Sequence, residues 1–471
     1  MPQTIRVSSM TELQSACNSA YTDPGRVIEI VPGVYPFKGY IDWLGPPKFL
    51  EKAVKGLTIR GLGEKPSDVI LKGGSGPDGI NTPDYKYTGY GFILSRCEDV
   101  LFENFQIEGV GSHLFHLKGE HDCKRISFKK IIGYEAGEQF IKSTADKYAG
   151  LGISDGVIED CHFEYKLRTY VKKNIVRAGG PIVQRYSELD CCRIETSPGS
   201  LNRSAWDEDF WAGGEISFWE LVDGKKHIIR TCGIIGNWHT DPHDKTSIFK
   251  VDDTVPPEAD GAALLVDRPD EVLTNQWGPW GGYTGAIDFH MARNYRISRC
   301  TFQRIGTSLM SEYSHAVHAV YCWGGSENTT VEDCYFLDCE SGVALGLGNN
   351  TEKVPFQHKN GKIKNIWFYR YGNVKGDRAV GLDTSPDNLT TNVKAVLNGS
   401  YSNAVEYRFP ETIDSVIINL ATDANKPIAL RPPDTTPAPT TCNVDQKLDL
   451  AGCNEVLTAV VNAIARNKGV A

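Results

Sequence analysis

The sequence predicts an all-β protein, a right-handed parallel β-helix with an N-terminal capping helix and a short C-terminal helical tail. Three observations predict it: a strand pattern recurring at the interval of one solenoid coil, a column of aligned cysteines, and a capping box just before the first strand.

The recurring unit is a polar turn, a short alternating strand, two polar residues and a second apolar pair. It occurs at residues 99–107, 125–132, 156–163, 228–234, 295–302 and 330–336. Superposed, Cys161, Cys232, Cys300 and Cys334 fall at one position. Phe105 to Ile131 spans 26 residues, Ile131 to Cys161 spans 30, and Cys300 to Cys334 spans 34. No unit of that size buries its apolar residues alone, and stacking creates the core. The gaps of 71 residues from Cys161 to Cys232 and 68 from Cys232 to Cys300 must each hold another coil or a large loop. A small apolar thiol packs well on its equivalents, so the cysteines are expected to form an inward ladder. Metal binding is not expected, because Cys-x-x-Cys pairs and clustered Cys/His ligands are missing. Disulfides at Cys191-Cys192 or between Cys442 and Cys453 are compatible with an oxidising compartment.

A solenoid must cover its ends. Ser9-Met10-Thr11-Glu12 is a capping box, and Leu13, Ala16 and Cys17 follow at helical spacing just before the strand Val27-Ile28-Glu29-Ile30. The expected organisation is a β-helix domain over 1–430, a Pro/Thr-rich linker over 431–441 and a helical tail over 442–471. The tail carries Val456, Leu457, Val460, Val461 and Ile464 in a helical pattern, and either folds back as a cap or meets a partner.

Composition narrows the partners. The net charge of −9 comes without a basic stripe, which argues against nucleic acid, so an anionic ligand must be met by a local cluster. No stretch is long and apolar enough to span a bilayer, and membrane association is not expected. The expected location is extracellular, with the leader peptide absent from this sequence. Sequons at Asn202, Asn328, Asn349, Asn388 and Asn398 read as incidental. The oligomeric state is left open.

The run Pro32-Gly33-Val34-Tyr35, followed by Leu57-Thr58-Ile59-Arg60-Gly61-Leu62-Gly63, resembles the first coils of the pectate-lyase-like superfamily of right-handed β-helix proteins. The pattern extends to about Leu430. The resemblance implies a carbohydrate-active protein, with polysaccharide lyases as the closest functional group. Hydrolases, uronate epimerases, phage depolymerases and non-catalytic proteins share the fold, so the site must decide among them.

A second strand in each coil supplies that site. Alternate residues of a strand face opposite sides. With Leu94, Leu117, Ile141, Phe289 and Cys322 inward, Lys118, Lys142, His290 and Trp323 form one outward row, and His116, Asp288 and Tyr321 form its neighbour. Trp277, Trp280 and Tyr283 precede Asp288 in a Gly-rich loop, and Glu312, His315 and His318 precede Trp323. Trp206, Trp211 and Trp219 add aromatic surface. Flat rings suit sugars, and cations suit an anionic polysaccharide.

β-Elimination on a uronic acid polymer needs a neutralised carboxylate, a base for the C5 proton and an acid for the leaving oxygen. Lys118 or Lys142 fills the first role, His290 or a lysine the second, and Tyr321 or His318 the third. No cofactor is demanded. Calcium, common in the resembling lyases, stays an open alternative, because a solenoid can assemble ligands from distant coils. Hydrolysis would ask for paired carboxylates. Asp252-Asp253 lacks the Gly-His-Gly loop that follows the paired Asp of polygalacturonases, leaving Asp288, Glu138 and Glu312. Thr240-Asp241-Pro242-His243-Asp244 is similar to a stretch of alginate epimerases, but Trp238 stands where those carry a catalytic tyrosine. The non-enzymatic alternative is a glycan-binding surface protein.

Overall fold

A computed structural model describes residues 3–37, 41–42, 54–73, 90–110, 112–165, 168–170, 176–180, 182–186, 191–195, 212, 214–238, 246–253, 261–266, 273–276, 284–306, 317–371 and 376–470. Residues 1–167 with 277–471 form one compact unit, and residues 168–276 form a second.

The first unit is a right-handed parallel β-helix, and its register shows why these residues stack. Ile28, Ile59, Phe102, Phe128, Ile158, Ile297, Val331, Ile363, Thr390 and Ile417 pair in sequence from coil to coil, and all ten are buried. Burying one such apolar side chain contributes about 1.5–3 kcal/mol, and here each rests on its equivalent above and below. The rings of Phe102 and Phe128 lie stacked at 5.2 Å. A second column runs through Phe105, Ile131, Cys161, Cys300, Cys334, Ile366, Val393 and Leu420. Cys161, Cys300 and Cys334 thus stack inward, buried and as free thiols.

Cys232 does not join them. The strand Lys225–Trp238 pairs antiparallel with Glu215–Val222 through a two-residue turn, Asp223-Gly224, with both residues at positive φ. That turn chemistry makes a hairpin where a coil was expected. The hairpin belongs to a seven-stranded sheet inside the second unit. The single 1–430 domain is therefore interrupted, and the long gaps hold one insertion. The solenoid resumes in register across it, His162 pairing with Thr301. At the interruption Tyr165 Oη and Thr284 Oγ1 lie 2.5 Å apart, and both hydroxyls donate to the Glu138 carbonyl.

Polar ladders brace two turns. Asn360 donates to Asn328, Asn328 to Asn294 and Asn294 to Asp155, at 2.8–3.1 Å. At the other turn Asn443, Asn419, Asn392 and Asn365 repeat the pattern down to Asp333. All of these residues have φ near +50 to +60°, a conformation that asparagine and aspartate tolerate better than most. Three sequon asparagines are occupied in this way or similarly: Asn328 in the ladder, Asn388 with Ser385 and Gly361, and Asn398 with the Arg370 carbonyl.

Helix Met10–Asn18 covers the first coil with Leu13, Ala16 and Cys17 buried. Ser9 Oγ accepts from the Glu12 N–H, while the Glu12 carboxylate reaches one residue further back than a capping box requires, to Ser8. The expected linker over 431–441 contributes to the stack instead, because Thr440–Cys442 pairs parallel with Val416–Thr422. Cys442 and Cys453 are both free thiols. Helix Leu450–Lys468 then runs back along the outside of the solenoid. Its Val456, Val460 and Ile464 pack on Leu337, Tyr369 and Val396. Asn467 Nδ2 bonds the carbonyls of Arg299 and Cys161, and Lys468 pairs with Glu164 at 2.8 Å. Nineteen residues span about 28 Å, and the helix meets the coils from Leu389–Val396 to Cys123–Ala136, five spacings of about 4.8 Å. Among the described residues no helix is long and apolar enough to cross a membrane.

Candidate functional site

The second sheet of the solenoid stacks Phe92–Ser95, Phe115–Lys118, Gln139–Thr144, Gly285–His290, His318–Trp323 and Ser341–Leu345 in parallel. Inward, Phe92, Phe115, Ile141, Ile287, Val320 and Val343 form a buried column. This register corrects the expected rows. Ile141 pairs with Phe115, not with Leu117, so Lys142 stands beside His116 and Asp288, while Lys118 pairs with Thr144. One outward row is therefore His116, Lys142, Asp288 and Tyr321, and the other is Lys118, Thr144, His290 and Trp323. The slip is two residues. It keeps every side chain on its expected face, which is why the hydrophobic pattern could not reveal it. Ser143 takes the inward place expected for Ile141.

The two rows converge on Asp288, whose side chain is 0% exposed. Lys142 Nζ lies 2.5 Å from Asp288 Oδ2 and 3.1 Å from His290 Nε2. The Trp323 indole N–H donates to Asp288 Oδ1 at 2.8 Å, and the His290 ring sits edge-on to Trp323 at 4.3 Å. Ser143 Oγ accepts from the His290 backbone N–H at 2.9 Å and holds that strand against its neighbour. The lysine ammonium thus has one acceptor on each side, and the carboxylate has a donor on each oxygen. A pair this deeply placed is tolerable because both charges are compensated at short range.

Burial, then the adjacent Lys142 charge, lowers the His290 pKa to about 4, so its ring is neutral near pH 7. His116 is lowered to about 3 by burial and by Lys118 and Lys142, and neither of its ring nitrogens has a hydrogen-bond partner among the described residues. Its ring packs among those of Tyr90 and His113. Lys118 faces Glu120 at 3.8 Å and is about one-third exposed. Two expected acids lie deeper than the rows suggested. Tyr321 is buried, its hydroxyl accepts from the His318 backbone N–H at 2.9 Å, and burial pushes its pKa well up. His318 is buried too, with a pKa lowered to about 3 by burial first and then by Arg378.

Trp277, Trp280, Tyr283, Glu312 and His315 lie outside the described residues, as do Trp206, Trp211 and 240–244. Trp219 belongs to the hairpin of the second unit. There Asp252 accepts from the Gly233 N–H and Asp253 pairs with Arg230, which engages that acidic pair locally. Among the described residues no group of three or more His, Cys, Asp or Glu converges as metal ligands.

Lys147 was missed from the sequence. Its ammonium lies 5.0 Å from the centroid of the Trp323 ring, and it sits on a turn outside the strand alternation that identified the others. With it, two lysines and the neutral His290 ring gather about Asp288 and Trp323, on a chain whose net charge is −9.

No family model and no curated protein matches this sequence. Solved structures it is similar to include an alginate lyase from Paenibacillus sp. str. FPU-7, at 13% identity, 94% of this chain, 99% of that chain and a TM-score of 0.38. Another is the A-module of a mannuronan C-5 epimerase from Azotobacter vinelandii, at 10% identity, 94% and 96% coverage and a TM-score of 0.41. A third is an endo-xylogalacturonan hydrolase from Aspergillus tubingensis, at 8% identity, 95% and 100% coverage and a TM-score of 0.40. By the parallel register of its own strands the first unit is a parallel β-helix, with the right-handed crossover that such connections take.

Proposed function

We propose that the outer face of this second sheet binds an acidic, uronic-acid-containing polysaccharide and cleaves it by β-elimination. The observation that carries the reading is the placement of Lys142 between Asp288 and His290, beside a neutral imidazole and an indole. A neutral ring can accept a proton at ordinary pH, and a held ammonium can meet a carboxylate without first being ordered. In this scheme the Lys142 ammonium turns from His290 Nε2 to the uronate carboxylate, which frees that nitrogen to take the C5 proton. The C5–H electron pair forms the C4–C5 double bond as the C4–O bond breaks, and Lys118 or water protonates the departing oxygen. Trp323 offers a flat apolar edge to the sugar ring. An extracellular setting is proposed with it, since that is where such polymers are met.

One observation favours a second reading, binding without cleavage. Tyr321 and His318 are buried, and the Tyr321 hydroxyl is held on a backbone N–H, which leaves the acid role to groups at the rim. Incubation with a panel of uronic-acid polymers separates the two. A lyase releases unsaturated uronate absorbing in the near ultraviolet, and Lys142→Ala and His290→Ala abolish the signal. A polymer retained on the protein without that absorbance overturns the lyase and leaves the binder.

A further inference from the structure

Tyr148 is the most exposed large apolar side chain among the described residues, at 81%. It is held in place all the same. The Tyr148 and Ala149 N–H groups both donate to Asp146 Oδ1, and the turn is closed by pairing of Asp146 with Leu151. A second tight turn, closed between Thr351 and Val354, brings Lys353 Nζ to 3.9 Å from the centroid of the Tyr148 ring. The ammonium covers one face of the ring and fixes its plane, and the high exposure leaves the other face to solvent. The residue before it, Lys147, lies over Trp323, which in turn donates to Asp288. The aromatic and cationic surface thus continues from the candidate site onto this turn without a break in the chain of contacts.

An isolated exposed tyrosine is ordinary. A tyrosine whose ring is oriented by a cation, one residue from a lysine that caps the site's own tryptophan, is a platform of the kind that stacks a sugar ring while ammonium groups meet its carboxylate. We infer that the Tyr148–Lys353 pair is a second sugar subsite, which takes a further unit of an acidic oligosaccharide whose neighbouring unit lies at Lys142 and His290. The inference rests on the reading of that face as a polysaccharide site.

The test measures binding of galacturonate and mannuronate oligomers of graded length to the full chain, by calorimetry, for wild type, Tyr148→Ala, Tyr148→Phe, Lys353→Ala and His290→Ala. Wild type is expected to gain affinity once the oligomer is long enough to reach the turn. Tyr148→Ala loses about tenfold on the long oligomers, in line with the worth of one aromatic stacking contact, and nothing on the shortest. Tyr148→Phe keeps the gain, since the ring and not the hydroxyl carries it, and Lys353→Ala loses part of it. Long oligomers bound equally by Tyr148→Ala and wild type, with His290→Ala impaired, overturn the subsite and leave the central site standing. Failure of wild type to bind any acidic oligomer overturns both.

Discussion

Lys142 and Asp288 stand 146 residues apart in the chain and 2.5 Å apart in space, joined by parallel pairing of their strands across an insertion. Asp288 is fully buried, and the lysine side chain is 12% exposed. Removing one member leaves the other charge without its partner, which costs about 3–5 kcal/mol at such sites. Asp288→Ala is therefore expected to lower the denaturant midpoint severely and to release Trp323, read as a change in tryptophan fluorescence. Replacing both members, as in Lys142→Met with Asp288→Leu, should recover much of that stability. A double variant as unstable as the worse single one would show that the ion pair is not the source of the loss.

The charge of Lys142 is the second cause, after burial, of the low His290 pKa of about 4. In Lys142→Met the His290 ring should titrate at a higher pH, upward from about 4 toward 6.5, observed by NMR of the ring protons. An unmoved titration would mean that burial alone sets it.

His116, His290, His318 and His358 all have pKa values lowered to about 3–4, mainly by burial. An imidazole that stays neutral in the fold and titrates near 6.5 when unfolded takes up its proton only on unfolding between those values. Stability is thus complete above about pH 6.5 and falls as the pH drops toward 4, by about 1.4 kcal/mol per pH unit for each ring. His358, buried and with neither nitrogen hydrogen-bonded among the described residues, allows a clean check. His358→Leu should reduce the slope by one ring's share without touching the candidate site, measured as unfolding free energy against pH.

Asn392 sits mid-ladder at φ +55°, accepting from Asn419 and donating to Asn365. Asn392→Ala loses both bonds and must adopt a left-handed backbone, for about 1–2 kcal/mol of destabilisation. Asn392→Gly loses only the bonds and should fall between. Equal stabilities for the alanine and glycine variants would remove the backbone part of the explanation.

The fold was legible because its signal repeats. Each coil restates an apolar column, and an error in one coil is corrected by the next. The candidate site lacks that redundancy. Lys142 was placed two residues out because Ser143, a polar residue in an inward column, made Ile141 the apparent match for Leu117. Lys147 was invisible because a turn has no alternation to read. Residues 228–234 read as a coil because Ile228 to Ile234 copies the coil pattern, and only the Asp223-Gly224 turn marks them as a hairpin arm. The asparagine ladders left a trace in the sequence, an Asn or Asp at a fixed place before the first strand of a coil in one ladder and before its second apolar pair in the other, which an inventory of hydrophobic positions passes over.

The clasp of Tyr165 and Thr284 on the Glu138 carbonyl has a consequence for how this chain tolerates change. Tyr165 and Thr284, which flank residues 166–283, are already brought together by the stacked coils, in register at His162 and Thr301. The entropy of closing such a loop grows only slowly with its length, so the coils bear nearly the same load for a long excursion as for a short one. This edge is therefore a splice point. The intervening polypeptide could be exchanged for a few glycines, and the columns on either side would still meet.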